Sequence, residues 1–328
     1  MFPYRRTSSR TVARNGQNRG GSQTPHTTHG TLIHRIKIVS IAFCKNNYHP
    51  HMVFFDCNKG IFTRRELADI GITNSRHIRE MTAKGQLTKI RHGFYATVNS
   101  NQKAVTAVRL HGSLGCLSAL REHGLWVPPE SGLHVTVSSH NHHIPKSGQC
   151  SSALIIHRKN RRFISPIDPP ETALADACFF HDCETAAIVF ESALRKNLLS
   201  QSGQRRIFNA MQIKKKNRLS PILNNLSESD SETRFKLFLH SLRIPYRQQV
   251  WIPNVGRVDF LVGRSLIVEI DSKSFHSKEA DYHRDCVRNM HSMQAGYSVL
   301  RLSYRQLWFS WENTKQEIGC FLRKKSYR

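Results

Sequence analysis

The sequence is short of acidic residues. It contains 23 Asp and Glu against 49 Lys and Arg, which gives a formal net charge of +26 at pH 7. So large an excess of positive charge indicates a polyanionic partner, with nucleic acid as the first choice. A basic surface without a partner is the alternative. An anionic membrane surface is disfavoured, because no basic amphipathic anchor helix is evident.

Long apolar runs and paired cysteines are also missing. No run approaches the roughly 18 residues of a membrane span, so we predict no membrane association. The eight cysteines include no CxxC pair, and scattered cysteines in a chain of this size favour reduced, mostly buried thiols over a structural zinc site. The 328 residues are enough for two or three domains. We expect a cytoplasmic, nucleoid-associated protein.

The start of the chain differs from the rest. Residues 1–50 carry eight Lys or Arg and no Asp or Glu, so residues 1–51 are predicted to be a disordered basic extension. This composition also resembles a transit peptide. Because Met52 begins a sensible domain, we favour the hypothesis that the first 51 residues are a non-native extension or an over-long reading frame.

Residues 52–98 are predicted to form a winged helix-turn-helix. Thr63 and Glu66 have the spacing of a capping box before a first helix, and Asn74 or Ser75 caps a second one. The stretch "GQLTKIRHGFYAT" then alternates and turns as a β-hairpin does. The second helix of such a fold enters the major groove, although a solvated basic face is the alternative. The predicted DNA-binding residues of this helix and the wing are Arg76, His77, Arg79, Lys84, Lys89, Arg91 and His92.

This stretch resembles the N-terminal domain of AbiEi-type antitoxins, the regulatory half of abortive-infection toxin–antitoxin pairs. The resemblance continues through "LGCLSALREHGLWVPP", "LHVTVSSHNH" and "PPETALADACFFHDCETAAIVFESALRKNLLS", and covers about residues 60–200. It implies an AbiEi-like α/β middle domain at 104–218, DNA binding, and a toxin protein as a second partner. The His-rich "SSHNHH" is expected to bind no metal, and Ser118 and His123 are expected to pack rather than to act as a nucleophile and base.

Residues 257–276, "RVDFLVGRSLIVEIDSKSFH", place three carboxylates in an apolar hairpin. A three-residue turn at 263–265 makes one face wholly apolar, because side chains alternate along a strand. The opposed apolar pairs are Val262 with Leu266, Phe260 with Val268, and Val258 with Ile270. The same register sets Asp259 opposite Glu269, with their Cβ atoms about 5 Å apart.

Opposed carboxylates repel each other unless a cation or a proton lies between them. Ligands that offer only oxygen favour Mg²⁺ or Mn²⁺ over zinc. The hairpin therefore predicts a divalent cation held by Asp259, Glu269 and Asp271. The alternative is that these acids pair with local bases, which are Arg257, Arg264 and Lys273.

The surrounding domain, residues 228–328, resembles the very-short-patch-repair (Vsr) endonuclease-like branch of the PD-(D/E)XK nucleases over about residues 228–310. The residues that carry the resemblance are Glu232, "VDF" at 258–260, "VEID" at 268–271, "FH" at 275–276, "HRDCVRN" at 283–289 and "GYSVLRLSY" at 296–304. The resemblance implies a restriction-endonuclease-like α/β fold with the element order helix, three strands, helix, strand, helix. Ser272 departs from the Gly that many relatives carry at this position.

The resemblance also implies a role for each matching residue. Asp259 would be the central metal ligand, Glu269 and Asp271 would complete the metal site, and Glu232 would support it. Lys273 or His276 would orient the attacking water or assist proton transfer, and the sequence does not choose between them. Arg284 and Arg288 on the next helix would hold the DNA backbone.

The predicted protein is therefore a multidomain, Mg²⁺-dependent DNA endonuclease that hydrolyses phosphodiester bonds. The alternative is a type IV toxin–antitoxin-like DNA-binding regulator, an antitoxin, in which the nuclease fold is catalytically inactive. In a third interpretation the middle region binds a toxin and nothing is cut.

Overall fold

The computed structural model describes residues 60–129, 132–141, 153–160, 165–271 and 279–323, with the backbone alone for 279–282, 284, 285 and 323. The predictions for residues 1–51, Lys273 and His276 lie outside the described residues. The described residues belong to one compact unit. None of the helices described in this unit is both apolar enough and long enough to cross a membrane.

The first region has the predicted order of two helices followed by a hairpin. Its elements are β1 (Ile61–Thr63), α1 (Arg64–Asp69), α2 (Ser75–Ala83), β2 (Leu87–Arg91) and β3 (Phe94–Thr97). The strands form an antiparallel sheet in the order β1-β3-β2. The capping box predicted for Thr63 and Glu66 is present, and Asn74 rather than Ser75 caps α2 through its side chain.

The middle region surrounds the largest hydrophobic cluster of the described residues. Its elements are α3 (Gln102–Arg109), β4 (Gly112–Leu114), α4 (Cys116–Glu122), β5 (Leu133–Ser138), β6 (Leu154–Lys159), α5 (Pro170–Phe180), α6 (Cys183–Arg195), α7 (Gln201–Ala210) and α8 (Ile213–Leu219). The sheet order is β4-β5-β6, with β4 antiparallel and β6 parallel to β5. Small residues such as Ala173 and Ala187 let the helices pack closely around this core.

The last region has the predicted order of helix, three strands, helix, strand and helix, and a further helix follows. Its elements are α9 (Asp230–Ser241), β7 (Tyr246–Ile252), β8 (Gly256–Val262), β9 (Leu266–Asp271), α10 (Glu279–Gln294), β10 (Ser298–Ser303), α11 (Tyr304–Trp308) and α12 (Trp311–Arg323). The sheet order is β10-β9-β8-β7, with antiparallel pairing from β7 to β9 and a parallel β10. A parallel neighbour needs a crossover connection, which α10 supplies.

The hairpin register confirms most of the predicted pairing. Val262 lies opposite Leu266, and Phe260 lies opposite Val268. The prediction for Val258 is wrong, because this residue packs in a different core cluster from Phe260. The reason is that the Ile270 N–H donates to the Asp259 carboxylate at 2.8 Å. The Asp259 side chain therefore accepts the hydrogen bond from Ile270 that the backbone carbonyl of Val258 was expected to accept.

A buried ion pair joins α9 to α6. The Lys236 ammonium donates to the Glu191 carboxylate, and both side chains are almost fully buried. The other Glu191 oxygen accepts from the Thr233 hydroxyl at 2.7 Å, and the backbone N–H of Asn224 also donates to Glu191. Buried charges persist only when they are paired and hydrogen-bonded. This contact therefore fixes α9, which carries Glu232, against the middle region.

Candidate functional site

The β8–β9 hairpin brings the carboxyl groups of Asp259 and Glu269 close together. The Asp259 carboxyl raises the pKa of Glu269, and the guanidinium of Arg288 lowers the pKa of both acids. Arg288 donates to the Glu269 carboxylate at 2.7 Å. The proximity predicted from the register is therefore present. We name the group of Glu232, Asp259 and Glu269 the carboxylate cluster.

Glu232 reaches the cluster from the first turn of α9. Its backbone N–H is capped by Ser229, and its carboxylate accepts from the Glu228 N–H at 2.9 Å. Gln249 on β7 donates its amide to the same carboxylate at 3.0 Å and also bonds to the Asp259 carboxyl. Gln249 thus connects the two acids, and Glu232 in turn feels the charge of Asp259.

Sequence reasoning missed Gln249. Its φ of 52° lies in the left-handed region, which is rare for a residue other than Gly and for a strand interior. Only a structure reveals that conformation. The one signal in the sequence is the pair of glutamines inside "YRQQVWI", where an exposed strand face would suffice as an explanation.

Burial makes ionisation of all three acids unfavourable. It is the largest cause of the raised pKa of Glu269, which stands at about 7 although Arg288 opposes the shift. The pKa of Asp259 and that of Glu232 are also raised, mainly by burial. The guanidinium groups of Arg288 and Arg301 both lower the pKa of Glu269, yet burial outweighs them, so the three carboxyls keep a deficit of stabilising positive charge. A bound divalent cation would remove this deficit, and oxygen ligands suit Mg²⁺ or Mn²⁺.

Arg288 lies within the site rather than on an open phosphate-binding surface as predicted. Besides Glu269, it donates to the backbone carbonyls of Val255 and Arg257. The reason is the short distance between α10 and the acid face of the hairpin. Arg257 pairs with Glu228 at 2.6 Å instead of with the cluster. Among the described residues, the ion-pair partner of Glu269 is therefore Arg288 rather than Arg257 or Arg264, and the predicted partner Lys273 lies outside these residues.

The remaining predicted site residues lie at the margins. Asp271 ends β9, half-buried, and pairs in register with Ser303 of β10. Lys273 and His276 fall outside the described residues. Arg284 lies on α10, where the structure describes its backbone alone. The three acids of the carboxylate cluster are thus the predicted residues that the described structure brings together.

The surface of α2 and the β2–β3 hairpin is basic, as predicted. The exposed members of the predicted set are Arg76, His77, Arg79, Lys84, Lys89 and His92. Arg91 differs, because its guanidinium lies 4.0 Å from the centroid of the Phe94 ring and is half-buried. Arg76 forms an exposed ion pair with Glu80 at 3.1 Å. The surface thus keeps several uncompensated positive charges that suit a phosphate backbone.

A second group of polar side chains lies in the middle region. The candidate ligand atoms of Cys116, His134, His157 and His181 all lie within 4.8 Å of one another. Burial lowers the pKa of His134 and that of His157 to about 4. Sequence reasoning missed this group, because its members are far apart in the chain and show no metal-binding spacing. Ser118 is buried on α4 and its hydroxyl accepts from the His134 N–H at 2.9 Å, while its packing role stays a prediction.

Comparison with known proteins supports the resemblance of the first region. Residues 54–98 match the family described as "Transcriptional regulator, AbiEi antitoxin". This confirms the predicted AbiEi-like character for that segment, while the same prediction for 104–218 stays a prediction. No match was found among curated proteins.

Among solved structures, the chain is similar to one titled "Homing Endonuclease I-Bth0305I Catalytic Domain". The sequences are 24% identical, the TM-score is 0.26, and the match covers 29% of this chain and 94% of that chain. A TM-score this low says nothing about the activity of the present protein. The Vsr-like relationship stays a prediction.

Proposed function

We propose that this protein is a Mg²⁺-dependent DNA endonuclease whose first region is a winged helix-turn-helix that holds it on DNA. The observation that carries the proposal is the convergence of Glu232, Asp259 and Glu269 at a buried site with too little positive charge. The PD-(D/E)XK resemblance of about residues 228–310 and the match at residues 54–98 support it. Mn²⁺ is the other ion that these ligands suit.

The residues of the site divide the work among them. Asp259 and Glu269 would hold the ion with Asp271, and Glu232 with Gln249 would fix the Asp259 carboxyl in place. When bound, the ion supplies an acidified water and a Lewis acid for the phosphate oxygen. Lys273 or His276 would orient the attacking water or move its proton. The positive charges of α2, together with Arg284 on α10, would bind the DNA backbone, with a strong dependence on salt.

A plasmid assay tests the activity directly. The full chain, with supercoiled plasmid and Mg²⁺, is compared with Asp259→Ala, Glu269→Ala and the control Glu312→Ala, which removes an acid that is 80% exposed on α12. We expect nicking by the wild type and the control. The two cluster variants should be at least about 100-fold slower, because loss of a group at a metal site typically costs 10–100-fold even in the outer shell. Equal nicking by all four proteins would identify a contaminant and reject the assignment.

The second candidate is a DNA-binding regulator with a silent nuclease fold. The ion pair between Arg288 and Glu269 favours it, because a guanidinium already occupies one oxygen of a proposed metal ligand. The antitoxin description of the matched family favours it too. Salt-sensitive binding of plasmid without nicking, in either Mg²⁺ or Mn²⁺, would establish this candidate. A toxin protein would then be its second partner.

A further inference from the structure

Four metal-binding side chains converge in the middle region, well removed in sequence from the carboxylate cluster. Cys116 is the first residue of α4, His134 and His157 lie on the paired strands β5 and β6, and His181 follows the end of α5. Cys116, His134 and His157 are buried and His181 is half-buried. Four separate elements thus direct a sulfur and three imidazoles to one point. We name this group the Cys-His cluster.

The local structure holds each member in position. Gly115 lets α4 approach β5, because a Cβ at this position would lie 2.1 Å from the Thr136 hydroxyl and 2.8 Å from an Asp168 carboxylate oxygen. Cys116 itself has a φ of 48°, a strained conformation for a residue with a side chain. This strained turn aims the Cys116 side chain at the strand pair. The thiol of Cys116 is therefore held in place at the cost of backbone strain.

Ring stacking and hydrogen bonds hold the three histidines in position. The His157 ring stacks on Phe180 with centroids 4.3 Å apart. The Lys215 ammonium donates to the carbonyls of His181 and Cys178, and so anchors the end of α5. His134 Nδ1 and His157 Nε2 are 2.8 Å apart, which is a hydrogen bond between two neutral rings. The cluster is therefore preorganised on rigid elements.

We propose that Cys116, His134, His157 and His181 bind one Zn²⁺ ion that ties the N-terminus of α4 and the end of α5 to strands β5 and β6. One sulfur and three nitrogens form a ligand set that zinc accepts in tetrahedral geometry. Zn–N bonds of about 2.0–2.1 Å place two nitrogen ligands roughly 3.4 Å apart. The two ring nitrogens of His134 and His157 must therefore separate by about half an ångström. The longer distances between the other ligand atoms, which reach up to 4.8 Å, must shorten.

Proton balance follows from the ligands. The three imidazoles bind in their neutral form, and the proton that His134 and His157 share moves to a ring nitrogen that faces away from the ion. The Cys116 thiol gives up its proton to solvent, so binding of one Zn²⁺ releases one proton. Four protein ligands leave no open coordination position, which is typical of a structural zinc site. The proposed role is to stabilise the middle region, and it does not depend on the nuclease proposal.

Metal analysis of the full chain tests the site. Protein purified under reducing conditions is stripped with a strong chelator, reloaded with Zn²⁺, freed of excess metal and assayed for zinc by mass spectrometry. We expect about one zinc per chain in the wild type. Cys116→Ser and His157→Gln should lose the zinc. The matched controls Cys183→Ser and His140→Gln, which change a half-buried cysteine and an exposed histidine, should keep it.

Two further measurements keep the result decisive. The double variant Asp259→Ala Glu269→Ala should retain its zinc, which separates this site from the carboxylate cluster. The wild type loaded with Co²⁺ should show one thiolate-to-cobalt charge-transfer band, which requires no folded variant. A wild type that binds no zinc, a cobalt spectrum without the thiolate band, or equal zinc in Cys116→Ser and Cys183→Ser would each overturn the proposal.

Discussion

The carboxylate cluster and the Cys-His cluster are assembled in opposite ways. Asp259 and Glu269 lie on the paired strands β8 and β9 of one hairpin, close enough for Asp259 to raise the pKa of Glu269. Cys116 and His181 are brought together by a parallel strand pair and two helices that are distant in the chain. A local site leaves its pattern in the sequence, whereas a site built from several elements leaves only isolated residues.

The two clusters also respond to burial in opposite directions. Burial raises the pKa of Glu269 to about 7 and lowers the pKa of His157 to about 4, because in both cases it disfavours the charged form. The acids remain short of positive charge, and the imidazoles of His134 and His157 are neutral near pH 7. The first site is suited to a hard cation that exchanges readily, and the second to a tightly bound soft or borderline ion.

The largest effect is expected at the buried ion pair between Lys236 on α9 and Glu191 on α6, which joins the region of the carboxylate cluster to the middle region. Lys236→Met leaves the Glu191 carboxylate buried without its cation and should lower the free energy of unfolding by about 3–5 kcal/mol. Urea denaturation would measure the loss, with Lys214→Met on the exposed face of α8 as the control. The double variant Glu191→Gln Lys236→Met should recover much of it. A single variant as stable as the control would mean that the pair does not hold α9 to α6.

A smaller effect should appear in the pH dependence of stability, with EDTA present to exclude cations. The raised pKa of Glu269 means that the folded state holds a proton between about pH 4.5 and about pH 7 that the unfolded state has lost. Its stabilising contribution is complete below this window and is lost as pH rises through about 7. Glu269→Gln should therefore be more stable than the wild type at about pH 8, by roughly 3 kcal/mol.

The comparison needs a difference curve, because the two clusters titrate in overlapping ranges. The lowered pKa values of His134 and His157 destabilise the fold as pH falls from about 6.5 to about 4. Subtracting the wild-type curve from that of Glu269→Gln isolates the acid, and Glu312→Gln serves as the exposed control. Parallel curves for the wild type and Glu269→Gln would show that Glu269 titrates normally.

The smallest effect is expected at the basic surface of the first region. Arg79→Ala should weaken binding to duplexes of unrelated sequence by a similar factor and reduce the slope of the salt dependence by about 1, as loss of one phosphate contact does. Fluorescence anisotropy over a range of salt concentrations would measure both. Arg65→Ala, an exposed change on α1, is the control. An unchanged slope for Arg79→Ala would remove α2 from the proposed DNA interface.

Sequence patterns were sufficient for the elements and insufficient for their contacts. The capping box at Thr63, the turn after Val262 and the order of strands in the last region follow from local rules that the chain obeys. The position of Val258 failed because a carboxylate replaced a backbone partner, and period-two alternation contains no information about that exchange.

The candidate site was predicted to a similar extent. Glu232, Asp259 and Glu269 could be named because strand register and helix start are local properties. Arg288 was predicted to face the DNA backbone, because helix periodicity does not show how closely α10 approaches the sheet. Its guanidinium instead donates to Glu269. The position of the Gln249 side chain depends on a left-handed backbone conformation, which the sequence does not predict for a glutamine. The Cys-His cluster depends on tertiary packing across the whole middle region.

The ion pair on α9 restricts how this chain can be divided. A fragment that begins at residue 228 would keep Lys236 but lose Glu191, and Trp308 would lose the ring of Trp126, which lies 4.3 Å away. The Lys236 ammonium would then lose its counter-charge, and the Trp308 indole would lose the ring that packs against it. The last region therefore does not form an independent unit, and a gene fusion that contains it must also include Glu191 on α6.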